Sequence, residues 1–596
     1  MNNNQRVQWL LDARFGLFIH WGLYTTLEGE WQGQRMEYIG EWIMSRFRIP
    51  GKPYSALAAQ FNPQSFVADE WVEMAKQAGM RYIVITAKHH EGFAMFHSKC
   101  DPYNIVDATP FKRDPIKELA DACRREGIKL GLYYSQDLDW HEPDGGCPPP
   151  GFSSNFGMSW GNDWDFPDSA VKNYARYFDK KVKPQVRELL TNYGPIGLIW
   201  FDTPVSISPE QSNELYQLVH ELQPDCLVNT RIGNGLGDYG SMGDNQIPEG
   251  QVNGAWETPA TLNDTWGYKY FDTNWKSPAD TLGVLAGLAE KNVNYLLNIG
   301  PQPNGQFPTA SIEIMHQIGT WMKTNGEAIH ETHGSPYLYS FDWGWITQRP
   351  AVDGQPACLY LLFKQWPRSV FSLNGLRSRV RDISILAGKT NEIPNAHVDF
   401  EQAIQKEYSA NLIGDEVLTI HLPKQAPDEP IAVVKLVLES DVIVDQRLII
   451  QQGVITLPAF TGKIQAITAN APEVDETGLL TGWLDPLDWI QWNVVIPQSG
   501  YYSIDIITSA VHHNRPWKGG HVVRIEVGDI AAQSRISADV MDTRQETRCY
   551  AQATTHCGEV YFSHSGEHEM ALKALAIRAD DGVGIALVGL KLKLSE

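Results

Sequence analysis

The 596-residue sequence lacks any long hydrophobic run and any excess of positive charge. No segment approaches the roughly 18–20 consecutive apolar residues that span a lipid bilayer. Its formal net charge is −22, whereas proteins that bind nucleic acid or anionic membranes need a basic surface. These absences exclude nucleic acid and membranes as partners and leave uncharged molecules, such as a neutral oligosaccharide, as candidates.

Cysteine is also scarce, and its positions form no framework. The seven cysteines include no C-x-x-C pair, which is typical of reduced thiols and predicts a cytoplasmic protein. Residues 1–22 show no charged segment followed by an apolar one, so no signal peptide is visible. A signal that had already been removed would leave no trace in the sequence.

Aromatic residues, by contrast, are abundant: 20 Trp, 23 Tyr and 21 Phe. Flat rings stack on the apolar faces of sugars, which favours a carbohydrate ligand, although large cores use the same residues as anchors. The 43% hydrophobic and 20% charged fractions are ordinary for a soluble globular protein. A chain of this length is too long for a single core, and we expect three domains.

Residues 1–335 alternate short apolar runs with longer helical patterns. The runs are four to eight residues long and lack strict alternation, as strands buried on both faces do. Six or seven such repeats predict a parallel sheet, so we expect an α/β fold in which residues 1–335 form a (β/α)8-like, TIM-type catalytic barrel. The runs are 16–22, 82–89, 129–135, 197–202, 226–231, 255–258 and 294–300.

The pattern changes after residue 335. Long helical patterns become scarce, and short β-rich runs are separated by Gly, Pro, Asn and Asp. This texture predicts two all-β sandwich domains, over residues 336–470 and 471–596.

Nearly every predicted barrel strand ends in a polar or ionisable side chain. The C-terminal ends of barrel strands converge on one mouth, where the catalytic residues of this fold lie. A regular series of such residues therefore predicts a catalytic site. The series is His20, His89, His90, Tyr134, Asp202, Arg231, Glu257 and Asn298.

Two of these residues are carboxylates suited to glycoside hydrolysis. Asp202 directly follows the apolar run GLIWF, where a carboxylate is ionised yet partly desolvated, as a nucleophile requires; the alternative is a helix N-cap. Retaining glycosidases need a second carboxyl group about 5–5.5 Å away to move a proton. Our candidate for this proton-transferring residue is Glu257, because the nearby Trp266 can raise its pKa by desolvation. The alternative is that Glu257 is a buried structural glutamate. Glu249 and Asp244 compete with it.

The triplet Lys88-His89-His90 raises the question of a metal site. Neighbouring residues of a strand point to opposite faces, so only one histidine faces the mouth unless the strand has already ended. The sequence has no H-x-H, no H-E-x-x-H and no ligand set with zinc spacing. We therefore expect the histidines to bind sugar hydroxyls, with no metal and no cofactor.

Eight segments of the barrel region carry a further signal. They are ARFGLFIHWGLY (13–24), EWIMSRFRIP (41–50), AGMRYIVITAKHHEGFAMFHSK (78–99), GIKLGLYYS (127–135), NYGPIGLIWFD (192–202), NTRIG (229–233), DTWGYKYFDTNWKS (264–277) and YLLNIGPQPNGQFP (295–308). In order and spacing they resemble the α-L-fucosidases of glycoside hydrolase family 29 and the related family 151. The resemblance covers roughly residues 5–335.

This resemblance implies a retaining exo-glycosidase that releases terminal α-L-fucose from fucosylated oligosaccharides or glycoconjugates through a fucosyl-enzyme. It implies Asp202 as the nucleophile. It moves the acid/base role to Glu257, because Gly243 stands where many relatives carry a glutamate. The residues implied to hold the fucose are His20, Glu41, Trp42, His89, His90, Tyr134, Trp200, Arg231 and Trp266, of which Trp266 packs on the methyl group. Glu30-Trp31 is a second candidate for the Glu-Trp pair.

The 471–596 block resembles the carbohydrate-binding-like sandwich that some of these enzymes carry. Its Trp483, Trp489 and Trp492 either bind sugar or belong to the core.

Three alternatives stay open at the level of sequence. They are an exo-glycosidase for a different sugar, a non-catalytic sugar-binding protein, and a metal-dependent barrel hydrolase that uses His20, His89 and His90. The fucosyl linkage, the natural substrate, the choice between families 29 and 151 and the oligomeric state cannot be read from the sequence. An appended β domain is compatible with a homo-oligomer.

Overall fold

The computed structural model describes residues 3–146, 158–367, 370–386, 404–408, 416–511, 516–543, 550–579 and 582–595. The chain forms two compact units. The first comprises Met1–Asn245, Gly254–Thr281 and Asn294–Lys323, and the second comprises Gln246–Asn253, Leu282–Val293 and Thr324–Glu596. No helix among the described residues is long and apolar enough to cross a membrane.

Eight strands of the N-terminal region form one parallel sheet in the order β5-β4-β3-β2-β1-β8-β7-β6. The strands are β1 (Phe15–Ile19), β2 (Tyr82–Lys88), β3 (Lys129–Ser135), β4 (Leu198–Asp202), β5 (Leu227–Val228), β6 (Gly240–Ser241), β7 (Trp256–Thr261) and β8 (Val293–Ile299). A parallel bridge between Asn229 and Tyr239 joins the two ends of the series, β5 and β6. The predicted (β/α)8-like barrel is confirmed.

Helices alternate with these strands, and their ends follow the capping residues in the sequence. The Asp114 side chain accepts from the N–H of Lys117 at 3.0 Å, and Gly127 ends the same helix at a φ of 71°. The helices are α1 (Asn3–Ala13), α2 (Ile43–Arg46), α3 (Gly51–Ser55), α4 (Ala68–Gln77), α5 (Ile105–Ala108), α6 (Pro115–Glu126), α7 (Tyr174–Tyr177), α8 (Lys183–Asn192), α9 (Pro209–Leu222), α10 (Pro278–Glu290) and α11 (Thr309–Asn325).

Large aromatic side chains fill the inside of the barrel. Tyr82, Tyr133 and Trp200 belong to one buried cluster together with Phe18. A glycine is needed beside them, because a Cβ added to Gly16 would lie 2.4 Å from the Tyr82 ring. The barrel interior is therefore a packed core on which the mouth rests.

The second unit contains antiparallel sheets, as the texture of its sequence predicts. One pair has a four-stranded sheet (Gly344–Arg349, Cys358–Phe363, Ala432–Leu438, Val380–Leu386) and a three-stranded sheet (Val370–Asn374, Glu416–His421, Ile404–Tyr408). In the other pair a larger sheet holds Glu473–Val474, Leu480–Trp483, Ile585–Leu594, Gly500–Ser509, Gln552–Phe562 and Val540–Asp542, with Val454–Pro458 paired to Ile585–Leu594. Its partner is five-stranded: Lys463–Gln465, Trp489–Ile496, Gly566–Ala576, Val522–Val527 and Ile530–Arg535.

Two strands before residue 471 pair with strands of the C-terminal sandwich. Val454–Pro458 pairs with Ile585–Leu594, and Lys463–Gln465 pairs with Trp489–Ile496. Both strands lie before residue 471, so the sheets of the C-terminal sandwich take in residues from about 454 onward.

The tryptophans of the C-terminal sandwich pack mainly into its interior. Trp483 and Trp492 are buried, and their indole nitrogens donate to backbone carbonyls, that of Trp492 to Pro458 at 2.9 Å. Trp489 is half-buried under Lys573, whose Nζ lies 5.4 Å from the ring centre. For Trp483 and Trp492 the core role is the one that the structure supports.

Candidate active site

Asp202 is the last residue of β4 and stands at the barrel mouth. Its Oδ2 accepts a hydrogen bond of 2.9 Å from the Tyr133 hydroxyl, and its Oδ1 accepts one of 3.1 Å from Arg231. His90 Nε2 lies 3.9 Å from Oδ2, and 14% of the Asp202 side chain is exposed. A carboxylate fixed by two donors and still open on one side is suited to attack a bound substrate.

The backbone around Asp202 is held by the segment that follows β3. The Gln136 side chain accepts from the N–H of Asp202 at 2.8 Å and donates to the carbonyl of Arg231 at 3.0 Å. Asp137 Oδ2 accepts from three consecutive backbone N–H groups, those of residues 205–207. These bonds fix where the Asp202 carboxylate points.

Three histidines line the mouth beside Asp202. Nδ1 of His20 lies 2.7 Å from Asn298 Oδ1, and Nδ1 of His90 lies 2.8 Å from Ser135 Oγ. The rings of His89 and His90 lie 4.0 Å apart, which is possible because β2 has ended at residue 88. Burial lowers the pKa of His20 and of His89 to about 3 and that of His90 well below its usual value, so all three imidazoles are neutral.

Arg231 joins two carboxylates at the mouth. Its Nη1 donates to Asp202, and its Nη2 donates to Asp244 Oδ1 and to the Met242 carbonyl, both at 2.7 Å. The guanidinium lies 4.6 Å from the Trp200 ring centre. Burial lowers the pKa of Arg231, but Asp244 and then Asp202 outweigh it and raise that pKa above the usual value. Half of the Asp244 side chain is exposed, so it borders the open end of the pocket.

Glu257 lies deeper, in β7, and none of its surface is exposed. Its Oε2 accepts from the Tyr82 hydroxyl at 2.5 Å, and its Oε1 accepts from the Trp200 indole at 2.9 Å. Burial raises the pKa of Glu257 to about 7, as we expected for a proton donor. Both carboxyl oxygens are nevertheless engaged by the barrel interior.

The Glu-Trp pair at 41–42 lies at the mouth. Glu41 accepts from the N–H of Gly267 at 2.8 Å, and burial raises its pKa to about 8. The Trp42 ring lies 5.2 Å from the rings of both His90 and Trp140.

Trp266 also contacts the residues at the mouth, whereas Glu30, of the alternative Glu-Trp pair, binds elsewhere. The Trp266 ring lies 5.2 Å from that of His20. Glu30 instead accepts a 3.0 Å hydrogen bond from the exposed Tyr270, on a short hairpin with Trp31. This favours Glu41 and Trp42 over Glu30 and Trp31.

Tyr134 does not reach the pocket, contrary to our prediction. Its hydroxyl donates to Gln185 of α8 at 2.8 Å, so it points toward the surrounding helices. Tyr133 is the tyrosine that contacts Asp202, and its ring also stacks on His89 at 5.3 Å. Successive residues of a strand point to opposite faces, so an error of one residue in register exchanges the two.

Glu249, a competitor for the acid/base role, lies in the second unit. Its carboxylate accepts from Gln552, and its N–H donates to the carbonyl of Thr477. These contacts occupy it within the C-terminal sheets. Among the described residues no group of three or more histidine, cysteine, aspartate or glutamate side chains is arranged to hold a metal ion.

Sequence reasoning missed Tyr133, Gln136 and Asp137. All three lie in the stretch YYSQD (133–137), which includes the end of β3 and the predicted site residue Tyr134. The polar run directly after an apolar strand was the available signal, because a barrel strand places its terminal polar residues at the mouth.

Glycoside hydrolases use a pair of carboxyl groups, and this barrel mouth holds two, Asp202 and Asp244, beside tryptophan rings. The family model described as Alpha-L-fucosidase matches residues 1–327. The chain therefore belongs to the α-L-fucosidase family, and it is a retaining exo-glycosidase that hydrolyses terminal α-L-fucose.

Individual relatives agree with this. Plasma alpha-L-fucosidase from Rattus norvegicus is 29% identical over 390 residues, which cover 61% of this chain and 78% of that protein. The crystal structure of alpha-L-fucosidase from Vibrio sp. strain EJY3 is 30% identical, has a TM-score of 0.82, and covers 99% of this chain and 98% of its own. Alpha-L-fucosidase AlfC from Lactobacillus casei, in complex with α-L-fucose product, is 46% identical over 54% of this chain and 100% of its own, with a TM-score of 0.52. A variant of AlfC is in complex with Fucα(1,6)GlcNAc, at 47% identity and with the same coverage and TM-score.

Proposed function

We propose that Asp202 is the nucleophile. One Asp202 oxygen forms a bond to the anomeric carbon of an α-L-fucoside while the glycosidic C–O bond breaks, giving a β-linked fucosyl-enzyme. Water then releases fucose with retained configuration. The observation that carries this proposal is the Asp202 carboxylate, fixed by Tyr133 and Arg231 at the open mouth.

The acid/base role goes to Asp244 in this proposal, in place of Glu257. A residue that protonates the leaving oxygen and then activates water must border the solvent-facing side of the substrate. Asp244 is half exposed and shares the Arg231 guanidinium with Asp202. Glu257 has no exposed surface, and both its oxygens accept from side chains of the core. In this arrangement Glu257 orients the Trp200 indole.

The remaining residues hold the sugar. We assign the fucose hydroxyls and ring to His20, His89, His90, Glu41, Trp42, Trp200 and Arg231, and the methyl group to Trp266. Support comes from their shared location beside Asp202, with contacts such as those of Trp42 with His90 and Trp266 with His20.

Azide added to alanine or glycine variants tests the two carboxylate assignments separately. With Asp202→Gly, azide attacks the anomeric carbon directly, so an aryl α-L-fucoside gives β-L-fucosyl azide after one inversion. With Asp244→Ala, an activated aryl leaving group still departs, and azide replaces water on the fucosyl-enzyme, giving α-L-fucosyl azide after two inversions. Glu257→Ala is expected to give no azide product, with Glu257→Gln as the control for folding. An α-azide from Glu257→Ala and none from Asp244→Ala would return the role to Glu257.

The linkage proposal is α1,6 to N-acetylglucosamine. It is supported by the AlfC variant that is in complex with Fucα(1,6)GlcNAc, which is 47% identical over 54% of this chain. A panel of α1,2-, α1,3-, α1,4- and α1,6-fucosylated disaccharides, compared by kcat/KM, tests it. A preference for any linkage other than α1,6 overturns it.

We also propose three domains, a barrel followed by two sandwiches, and a reducing, cytoplasmic location. The cysteines that the structure describes are unpaired thiols: Cys100, Cys123, Cys226, Cys358 and Cys557. Cys147 and Cys549 lie outside the described residues. Thiol titration of protein isolated under alkylating conditions tests the redox state, and sedimentation tests whether the protein is a homo-oligomer.

A further inference from the structure

Two of the three pocket histidines have a proton position that their neighbours dictate. Asn298 Nδ2 donates to the carbonyl of Trp266 at 2.9 Å, so its Oδ1 must accept from Nδ1–H of His20. Ser135 Oγ donates to the carbonyl of Leu138 at 2.8 Å, so it must accept from Nδ1–H of His90. In both rings the proton is on Nδ1 and the lone pair is on Nε2.

The third histidine, His89, faces a carboxyl group. Its Nδ1 lies 3.7 Å from Oε2 of Glu91, and none of the Glu91 side chain is exposed. Within the described part of the chain, Nδ1 of His89 has no other hydrogen-bond partner, and the Glu91 oxygens accept from no other side chain. Backbone N–H groups of Leu23 and Glu91 lie near enough to the Glu91 carboxyl group to lower its pKa. A buried polar group without a partner is costly, and a carboxyl oxygen has lone pairs to spare, so Glu91 Oε2 is the acceptor that Nδ1–H of His89 requires. A shift of roughly 0.5–1 Å would close the bond.

The fold leaves room for this carboxyl group. A Cβ on Gly22 would lie 2.4 Å from Glu91 Oε1, so a larger residue there would displace the carboxyl group. The Tyr24 ring packs edge-on against His89 at 5.6 Å and encloses the same space. Burial raises the pKa of Glu91 to about 8, and above that pH the ionised carboxylate has no proton to donate and can only accept from Nδ1–H.

We propose that Glu91 is a positioning residue that holds the proton of His89 on Nδ1, so that all three pocket histidines present an unprotonated Nε2 to the substrate. The inference rests on the proposed role of these histidines in holding the sugar. With this tautomer, the three pocket histidines act toward the substrate as hydrogen-bond acceptors. The substrate it selects is a sugar whose hydroxyl groups are free to donate, and replacing a contacted hydroxyl by fluorine or an ether removes the donor.

The ¹⁵N spectrum of the imidazoles in the wild-type enzyme tests the proposal directly, because Nδ1–H and Nε2–H tautomers have distinct shifts. With ¹⁵N-histidine labelling and assignment through His89→Gln, the His89 signal is expected to be that of the Nδ1–H form. A His89 signal of the Nε2–H form overturns the proposal, whatever the activity of the enzyme. Turnover of an aryl α-L-fucoside by the same sample tests the proposed function independently.

Two variants separate positioning from general structural support. Glu91→Gln keeps a carbonyl oxygen that accepts from Nδ1–H, and it should keep the tautomer and lose about threefold in kcat/KM. Glu91→Met has a similar length without that acceptor, and it should shift His89 toward Nε2–H and lower kcat/KM about 10- to 100-fold, as expected for one lost hydrogen bond and an orphaned partner. Equal losses in both variants with an unchanged His89 spectrum would overturn the proposal.

The chain supplies internal controls. His20 and His90 should keep their Nδ1–H signals in both variants, because Asn298 and Ser135 hold them. Glu290→Met removes another fully buried glutamate, which bonds to Ser340 and to the N–H of Ile346 in the second unit. It should lower the melting temperature without changing the His89 signal.

Discussion

The Tyr133 hydroxyl donates to Asp202 Oδ2 at 2.9 Å, so the strand before the nucleophile strand supplies one of its two side-chain hydrogen bonds. The next residue, Tyr134, turns to the opposite face of β3 and donates to Gln185 at 2.8 Å. One strand thus carries two neighbouring tyrosines with different surroundings, and they can be exchanged for phenylalanine one at a time.

Tyr133→Phe should lower kcat/KM about 10- to 100-fold, because a hydrogen bond to a charged carboxylate contributes about 1.5–3 kcal/mol. Tyr134→Phe is the matched control, since it removes the same hydroxyl from a site that faces α8. It should lower the melting temperature and leave kcat/KM for an aryl α-L-fucoside within about threefold. The reverse pattern would mean that Tyr134 serves the substrate after all.

The contribution of two buried carboxyl groups of the barrel, Glu257 and Glu41, to stability should fall as the pH rises, because burial favours their protonated forms. Burial raises the pKa of Glu257 to about 7 and that of Glu41 to about 8, against about 4.3 in an unfolded chain. Between these values the folded protein binds protons that the unfolded chain releases. Their contribution is therefore fully present below about pH 4 and is lost as the pH rises through 7 to 8.

Glu257→Gln isolates one of these groups. Amide replacement removes a titration worth on the order of 3 kcal/mol, so the unfolding midpoint of the wild type, relative to that of the variant, should fall as the pH rises from 5 to 8. Thermal unfolding followed by circular dichroism across that range measures it. Parallel curves for the two proteins would show that Glu257 titrates normally.

Much of the fold could be predicted because it depends on repeating patterns. Apolar runs buried on both faces gave the barrel strands, and the Asp114 cap and Gly127 gave the ends of α6. The start of the last sandwich was harder to find, because Val454–Pro458 is a β-rich run like those of the preceding sheets and is distinguished only by its pairing with Ile585–Leu594.

The site residues that could be predicted from the sequence are those at or just after the ends of predicted strands. Asp202 and His20 follow apolar runs directly, Arg231 lies three residues after β5, and the structure brings them together. Whether Tyr133 or Tyr134 faces the pocket depends on a register shift of one residue. The sequence does not show which face of the strand each of two neighbouring residues occupies. Ranking Glu257 against Asp244 required knowing which carboxylate is exposed, a property of the folded barrel.

Asp139→Asn should destabilise the protein by about 3–5 kcal/mol, as expected when a buried charge loses its partner. Lys88 and Asp139 are both fully buried 3.2 Å apart, and burial lowers the pKa of Lys88. Lys181, the other lysine beside Asp139, keeps Asp101 as an ion-pair partner at 2.6 Å. Lys88 is therefore the buried charge that loses its ion-pair partner. Lys76→Met is the control, because the Lys76–Glu126 pair is solvent-exposed and its removal should change the unfolding free energy far less. Equal unfolding free energies for the two variants, measured in urea, would contradict this.

Arg231→Lys should lower kcat/KM about 100-fold or more although it preserves the charge. The guanidinium donates to Asp202 through Nη1 and to Asp244 through Nη2, and it lies on the Trp200 ring. A lysine ammonium is a compact point charge, without the planar, forked set of donors of a guanidinium. It therefore cannot bridge both carboxylates or stack on the Trp200 ring in the same way.

Arg6→Lys provides the comparison for Arg231→Lys, because Arg6 binds the buried Asp238 at 2.9 Å in the same unit. It should change the melting temperature and leave kcat/KM for an aryl α-L-fucoside within about threefold. Steady-state kinetics on the three proteins decide the matter: an Arg231→Lys enzyme as active as Arg6→Lys would mean that the two carboxylates do not depend on a shared guanidinium.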